Sequence, residues 1–138
     1  DLPPEEGQDW WETAREHALD TILLVAPGSR ADRVRTISQR SSGFLYCISR
    51  MGVTGTRAEV PADLPDLVAR IRRVSDIPVA VGFGISSPEH VRRVCEVADG
   101  AVVGSALVER AHSGTPDEME AFVRELKEAT SAVSVATK

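Results

Sequence analysis

The sequence has few of the residues that build metal sites or disulfide frameworks. Of its two cysteines, Cys47 lies in a predicted strand and Cys95 on the apolar side of a predicted helix. Both are expected to be small, buried hydrophobic residues in a reducing compartment. No CxxC pair occurs, and the histidines His17, His90 and His112 are scattered singly. A metal site is therefore not expected.

The sequence also lacks an excess of positive charge and any long hydrophobic run. A net charge of −5 argues against a nucleic-acid-binding protein held by phosphate contacts. No apolar run approaches the roughly 20 residues that cross a membrane, and no signal peptide is recognisable. With 138 residues and 42% hydrophobic content, the sequence indicates one globular domain, which we expect in the cytoplasm.

The most informative stretch is the glycine-containing segment at 78–88 (PVAVGFGISSP). It predicts a short apolar strand that runs through a glycine turn into a helix. Gly82 and Gly84 lack a Cβ, so the backbone there can approach a ligand closely or adopt a positive φ. Ser87 suits the N-cap of the following helix and Pro88 its first turn.

Two further glycine turns follow predicted strands. The apolar run at 100–103 ends in Gly104-Ser105, ahead of a short predicted helix, and a strand near 44–48 precedes the turn at 52–55. If these strand ends lie side by side, their backbone N–H groups converge on one point. Such a nest beside a helix N-terminus favours a dianion, and phosphate is the usual one.

Apolar runs and helical periodicities alternate along the whole chain. The predicted strands are four, at 21–26, 44–49, 79–81 and 100–103, each followed by a helix. This order predicts a parallel α/β sheet, either an open doubly wound sheet or a (β/α)8 barrel. A short extra helix after the last strand favours the barrel, of which these residues would form about half, strands 5 to 8. Such a half leaves two open strand edges to be paired by other residues or by another copy.

Local signals define the domain and the helix starts. Residues 1–131 are expected to form the half-barrel and 132–138 a frayed tail. Ser29 and Ser87 are predicted N-caps, and a capping box at 115–118 (TPDE) opens the last helix. The stretch at 1–6 (DLPPEE) has no Met and indicates the end of a strand and loop, so further polypeptide is expected before it.

Four segments together resemble the tryptophan synthase α subunit family: 1–6, 49–55 (SRMGVTG), 78–87 (PVAVGFGISS) and 103–106 (VGSA). The resemblance implies a TIM barrel lyase that cleaves indole-3-glycerol phosphate to indole and glyceraldehyde 3-phosphate in tryptophan biosynthesis. It also implies a β-subunit partner in an α2β2 heterotetramer. Pyridoxal phosphate is expected only in that partner, and no cofactor in this chain.

The resemblance assigns roles to individual residues. The substrate phosphate would meet Gly55, Gly84, Gly104 and Ser105, which coincides with the nest inferred from the glycine turns. Thr54 lies in the family's mobile sixth loop, where its hydroxyl would support a catalytic carboxylate; otherwise it is a turn threonine.

Four further residues match positions that line the family's indole pocket. They are Tyr46, Phe83, Val25 and Val102. Apolar strand residues are core residues by default, and only Phe83, between two glycines at a strand end, stands apart from that default.

The acid and base of the retro-aldol reaction are missing from the predicted strands, which contain no Asp or Glu facing a possible site. In the family both carboxylates come from the second strand and its loop, so we expect them upstream of residue 1 and expect the 138 residues alone to be inactive. Two alternatives remain open. One is a non-catalytic phosphate-binding half-barrel, and the other is a related phosphate-binding barrel enzyme of another pathway.

Overall fold

The computed structural model describes residues 2–49, 62–82 and 84–131. The helices are α1 (Gln8–Glu16), α2 (Ala31–Arg40), α3 (Leu64–Arg72), α4 (Pro88–Cys95), α5 (Ser105–Ser113) and α6 (Pro116–Ser131). The strands are β1 (Leu24–Val25), β2 (Leu45–Ile48), β3 (Val79–Gly82) and β4 (Gly100–Val102). The predicted tail at 132–138 lies outside the described residues.

The four strands form one parallel sheet in the order β1-β2-β3-β4. Because each strand pairs with its neighbour in sequence, every connection crosses over through a helix. The α/β prediction is therefore confirmed. The register aligns Val25 with Cys47, Cys47 with Val81 and Val81 with Ala101.

One face of the sheet is the protein core, and we call it the outer face. Its side chains are fully buried beneath the helices: Val25, Leu45, Cys47, Val79 and Val81. Apolar positions on the helices, spaced three and four residues apart, complete this cluster: Val34, Ile37, Leu67, Val68, Ile71, Val91 and Val94. The spacing predicted from the sequence is what brings these helix positions onto the sheet.

The opposite face, which we call the inner face, is only half buried. It carries the residues that alternate with the core residues: Leu24, Tyr46, Ile48, Ala80 and Val102. Both faces are thus apolar, as the continuous apolar runs predicted. Only the outer face is covered by helices of the described residues.

Strand β1 is shorter than the predicted strand at 21–26. The reason lies in how Thr21 satisfies its polar groups. Its backbone N–H donates to Ser42 Oγ at 2.9 Å, and its hydroxyl donates to the carbonyl of Arg40 at 2.8 Å. Because these bonds tie Thr21 to the end of α2, the ladder with β2 begins only beyond it.

Two of the three predicted helix caps are confirmed. Ser87 Oγ accepts the backbone N–H of His90 at 3.2 Å at the start of α4. At α6, Glu118 and Thr115 exchange bonds as a capping box, with Glu118 Oε2 2.7 Å from the Thr115 nitrogen. Ser29 was predicted to cap α2, and this is wrong: the N-cap residue is Arg30, and Ser29 Oγ accepts the Ala26 N–H instead.

Asp99 fixes the end of the sheet at which strands β3 and β4 begin. One carboxylate oxygen accepts the Val79 N–H at 2.8 Å, and the other lies 3.1 Å from an Arg72 nitrogen of α3. The same side chain therefore orients the start of β3, the end of α3 and the turn before β4. At the opposite end of the sheet the strands finish, and the loops that follow them form the candidate functional site.

Candidate functional site

The ends of β3 and β4 place two glycines at equivalent positions. Gly82, the last residue of β3, is in register with Val102, the last residue of β4, and Gly84 and Gly104 each follow two residues later in the chain. The structure therefore brings Gly84 and Gly104-Ser105 to neighbouring strand ends, as the sequence predicted. All three residues are exposed.

Each of these residues leaves backbone groups open to a ligand. Gly84 has a φ of 76°, the left-handed conformation that glycine adopts without strain. A Cβ on Gly104 would meet nothing within 4 Å, so the space beside it is open. Ser105 begins α5, whose first N–H groups have no acceptor inside the helix. Together these donors suit an anion with several oxygens.

A serine that sequence reasoning missed holds the ends of β2 and β3 together. Both the backbone N–H and the hydroxyl of Ser49 donate to the carbonyl of Gly82, each at 3.0 Å. Ser49 is buried. Ser49 begins the segment 49–55 that contributes to the resemblance, but nothing in that segment assigned it a role in joining the two strands.

The loop after β3 is fixed by the first turn of α4. While Ser87 caps the helix, the Ser86 N–H donates to Nδ1 of His90 at 3.3 Å. These bonds position the loop that begins at Gly84. The Nδ1 atom of His90 is the acceptor of this bond and ties the loop to the first turn of α4.

Tyr46 and Val102 lie on the same face of the sheet, the inner face, and Tyr46 reaches toward the strand ends. A Cβ on Gly82 would fall 2.0 Å from the Tyr46 hydroxyl oxygen and 2.4 Å from its Cζ. Gly82 is therefore a glycine because the tyrosine ring occupies that space. The sequence had suggested a ligand approach or a positive φ for this glycine; its φ is not positive, and the ligand approach stays a prediction.

Val25 does not join this group. It is in register with Cys47 on the outer face and is completely buried there. Because neighbouring residues of a strand point to opposite faces, the inner-face residue of β1 is Leu24, the register partner of Tyr46. The prediction that Val25 lines a pocket with Tyr46 and Val102 is corrected accordingly.

Three predicted site residues lie outside the described residues: Thr54, Gly55 and Phe83. Their assignments stay predictions. The structure therefore describes two of the three strand ends that were predicted to form the phosphate nest.

The described strands offer no acid–base pair. None of β1 to β4 contains an aspartate or glutamate. Burial raises the pKa of the Cys47 thiol to about 11, and that side chain faces the helices rather than the inner face. Among the described residues there is no group of three or more His, Cys, Asp and Glu side chains that could hold a metal ion. None of the described helices is long and apolar enough to span a membrane.

A cavity of about 560 Å³ lies elsewhere, between α1 and the end of α2. Its walls include Trp11, Arg15, Asp20 and Arg40. None of the predicted site residues lines it, because it opens beside the strand starts rather than the strand ends.

Comparison with known proteins gives one consistent answer. The sequence model of the family described as "Tryptophan synthase alpha chain" matches residues 1–138. The tryptophan synthase alpha chain of Opitutus terrae is 49% identical over 123 residues, which are 88% of this chain and 46% of that protein. That of Mycobacterium marinum is 47% identical over 131 residues, covering 91% and 49% of the two chains.

Solved structures agree with the sequence matches. Tryptophan synthase from Mycobacterium tuberculosis superposes with a TM-score of 0.83 at 43% identity, covering 94% of this chain and 49% of that one. A structure of the tryptophan synthase α2β2 complex of Pyrococcus furiosus gives a TM-score of 0.79 at 37% identity, covering 95% and 53%. The chain thus spans about half the length of the relatives it matches. The resemblance is confirmed, as is the expectation of about half a (β/α)8 barrel.

Proposed function

Because this chain belongs to the tryptophan synthase alpha chain family, we propose that it forms the C-terminal half of an α-subunit barrel. The whole protein is then a lyase that cleaves indole-3-glycerol phosphate to indole and glyceraldehyde 3-phosphate. The observation that carries the assignment of the site is the pairing of Gly84 with Gly104-Ser105 at neighbouring strand ends.

In this proposal the described residues bind and orient the substrate. The backbone N–H groups at Gly84, Gly104 and Ser105 receive the phosphate, with Gly55 as the third contributor and the Ser105 hydroxyl as an additional donor. Charge-assisted bonds from such donors are stronger than neutral ones. The inner face, with Tyr46 and Val102, forms one wall of the indole pocket, with Phe83 as a further proposed member.

The bond that breaks joins indole C3 to the glycerol chain. An acid must protonate C3 as the ring takes up the bonding electrons, and a base must remove the proton of the adjacent hydroxyl as it becomes the aldehyde. No described strand carries a carboxylate. We therefore place the acid and base in the other half of the barrel and give Thr54 at most a supporting role. The 138 residues alone are then a binding unit without turnover.

The partner and the compartment follow from the same assignment. We propose a tryptophan synthase β subunit as partner in an α2β2 assembly, with pyridoxal phosphate in that subunit and no cofactor or metal in this chain. The α2β2 complex from Pyrococcus furiosus, to which this chain is similar, supports the partner. The unpaired thiols of Cys47 and Cys95 support a reducing compartment, the cytoplasm.

A complementation assay tests the proposed function. This chain would be mixed with the half of the Mycobacterium marinum alpha chain that it does not match, and indole release from indole-3-glycerol phosphate would be followed. We expect release only from the mixture. A co-purifying mixture without turnover would refute the lyase assignment and favour a non-catalytic phosphate-binding half-barrel. Steady release by this chain alone would refute the placement of the acid and base.

The phosphate site is tested in the same mixture. Gly104→Asp would introduce a negative charge beside the donors, into space that is open at that glycine. We expect a large increase in KM because like charges repel. Gly28→Asp is the matched control, since a Cβ there also meets nothing within 4 Å, and it should leave KM within about twofold.

A further inference from the structure

Strand β3 ends at Gly82, and glycine has the most permissive backbone of all residues. The residue there must be a glycine, because a Cβ would fall 2.0 Å from the Tyr46 hydroxyl oxygen. Gly84, which belongs to the proposed phosphate site, follows two residues later. Any freedom in the backbone of Gly82 is therefore passed on to the donors at Gly84.

Ser49 removes this freedom by making two bonds to one atom, the carbonyl oxygen of Gly82. Its N–H donates to that oxygen at 3.0 Å, in the same ladder in which the Leu45 N–H donates to the Pro78 carbonyl at 2.8 Å. Its hydroxyl donates to the same oxygen, also at 3.0 Å. A carbonyl oxygen has two lone pairs, so one residue supplies a donor for each. The hydroxyl bond is no part of the strand ladder and adds a constraint that the sheet alone does not provide.

The hydroxyl bond is shielded from solvent. Ser49 is only 3% exposed, so water does not readily take the place of its hydroxyl. Without that hydroxyl, the carbonyl of Gly82 keeps only its ladder bond from Ser49. The peptide group at the end of β3 is then less firmly oriented, while the sheet itself stays paired.

The loop after β3 is thus held at both ends. At its far end, Ser86 and Ser87 are bonded to His90 in the first turn of α4. At its near end, the two bonds of Ser49 fix the last residue of the strand. Gly84 lies between these anchors. A loop that is already held in its binding conformation binds more tightly, because less ordering is needed when the ligand arrives.

We propose that Ser49 is a positioning residue for the substrate phosphate. It acts through Gly82 and does not touch the substrate: its hydroxyl orients the end of β3 so that the donors at Gly84 are in place before the phosphate arrives. Ser49 also directly follows β2, whose loop carries Gly55. The same serine therefore sets the spacing of two strand ends that contribute to the phosphate site. The inference rests on the proposed function, because it concerns that same site.

The complementation mixture tests the proposal with Ser49→Ala. The loss of one hydrogen bond of ordinary strength should raise the KM for indole-3-glycerol phosphate about fivefold. The inhibition constant of inorganic phosphate should rise by a similar factor. The inhibition constant of indole, which has no phosphate, and kcat should each change less than about twofold. A general loss of structure would not divide the two inhibition constants in this way.

Ser38→Ala is the matched control. Ser38 is also buried, and its hydroxyl also donates to a backbone carbonyl, that of Val34, at 2.8 Å. It lies in the last turn of α2, beside the strand starts and away from the proposed phosphate site. Both variants therefore report what the loss of a buried serine hydroxyl does to folding. Only Ser49→Ala should change the inhibition constant of phosphate by more than about twofold.

A second pair of variants isolates the hydroxyl of Ser49 from the shape of the side chain. Ser49→Thr and Ser49→Val have nearly the same shape and differ in the hydroxyl group. Any effect of the added methyl group is common to both. The inhibition constant of phosphate should be about fivefold higher for Ser49→Val than for Ser49→Thr.

The outcomes separate this proposal from the one on which it rests. If Ser49→Ala raises the inhibition constants of phosphate and indole equally, or behaves like Ser38→Ala, the positioning role is refuted and the lyase assignment stands. Equal inhibition constants of phosphate for the Thr and Val variants would refute it as well. A wild-type mixture that assembles but releases no indole refutes the proposed function itself, and the positioning role falls with it.

Discussion

The two faces of the sheet have similar apolar composition and opposite roles. On the outer face, Leu45, Cys47 and Val81 are completely buried under the helices. On the inner face, Leu24, Tyr46 and Val102 are half exposed although they are equally apolar. Apolar strand residues therefore do not by themselves define the core of this protein. The helices do, because they cover only one face of the four strands.

The largest expected difference between the faces is in stability. Leu45→Ala removes a completely buried side chain from the outer face and should lower the free energy of unfolding by about 2–5 kcal/mol. Leu24→Ala on the inner face should cost less than about 1.5 kcal/mol, because its side chain is already half exposed. Urea denaturation followed by circular dichroism at low protein concentration measures both. Equal losses of unfolding free energy would mean that the two faces of the sheet do not differ in burial.

The next effect concerns the one tight contact on the inner face. Gly82→Ala places a Cβ 2.0 Å from the Tyr46 hydroxyl oxygen, so the ring must move, at about 1–3 kcal/mol of stability. Gly100→Ala is the control, because its Cβ would meet only the Ala80 Cβ at 3.8 Å.

A double-mutant cycle shows whether the loss at Gly82 arises from the ring. In the Tyr46→Ala background, Gly82→Ala should cost much less unfolding free energy than it does in the wild-type background. Additive losses would mean that the tyrosine ring does not occupy the space over Gly82. The inner face would then have no demonstrated tight side-chain contact.

A smaller effect is expected in the loops beyond the strand ends. Ser87 accepts a helix N–H and Ser29 does not, although both serines precede a helix. Ser87→Ala should lower the free energy of unfolding by about 1 kcal/mol. Ser29→Ala should cost about half of that or less, since it removes only the exposed bond from the Ala26 N–H. If Ser29→Ala were the costlier change, the assignment of the caps would be wrong.

These serines show which local features could be predicted from the sequence and which could not. Local signals with a defined spacing, such as the TPDE capping box and the serine-proline pair at Ser87, were predicted correctly because their partners lie within four residues. The cap at Ser29 was not, because its hydroxyl accepts the Ala26 N–H in the turn before the helix. Periodicity likewise gave the helices and the parallel order of the strands, since each depends on nearby residues.

The facing of strand residues could not be predicted in the same way. In a strand that is apolar throughout, no alternation marks which face a residue takes. The assignment of Val25 to the pocket came from the resemblance, and the sequence offered no pattern that could have corrected it. The contact of Tyr46 with Gly82 and the bonds of Ser49 join residues more than 30 positions apart. Such contacts depend on register, which the sequence pattern leaves undetermined. The pairing of Gly84 with Gly104 was predictable only because parallel strands end at the same edge.

The last expected effect follows from the outer face and appears only in alkaline solution. Burial raises the pKa of the Cys47 thiol from 9.0 to about 11, so between these values the unfolded chain loses this proton and the folded chain keeps it. Because the unfolded state then binds fewer protons, stability must fall as the pH rises above about 9, by somewhat under 1 kcal/mol at pH 9.5. Cys47→Ala costs some stability at every pH through the lost side chain, but it should abolish this additional decline. The measurement is the difference in unfolding free energy between wild type and variant at pH 7.5 and pH 9.5. A difference that does not change with pH would mean that the Cys47 thiol is accessible to water. The helices would then cover the outer face less completely than the structure shows.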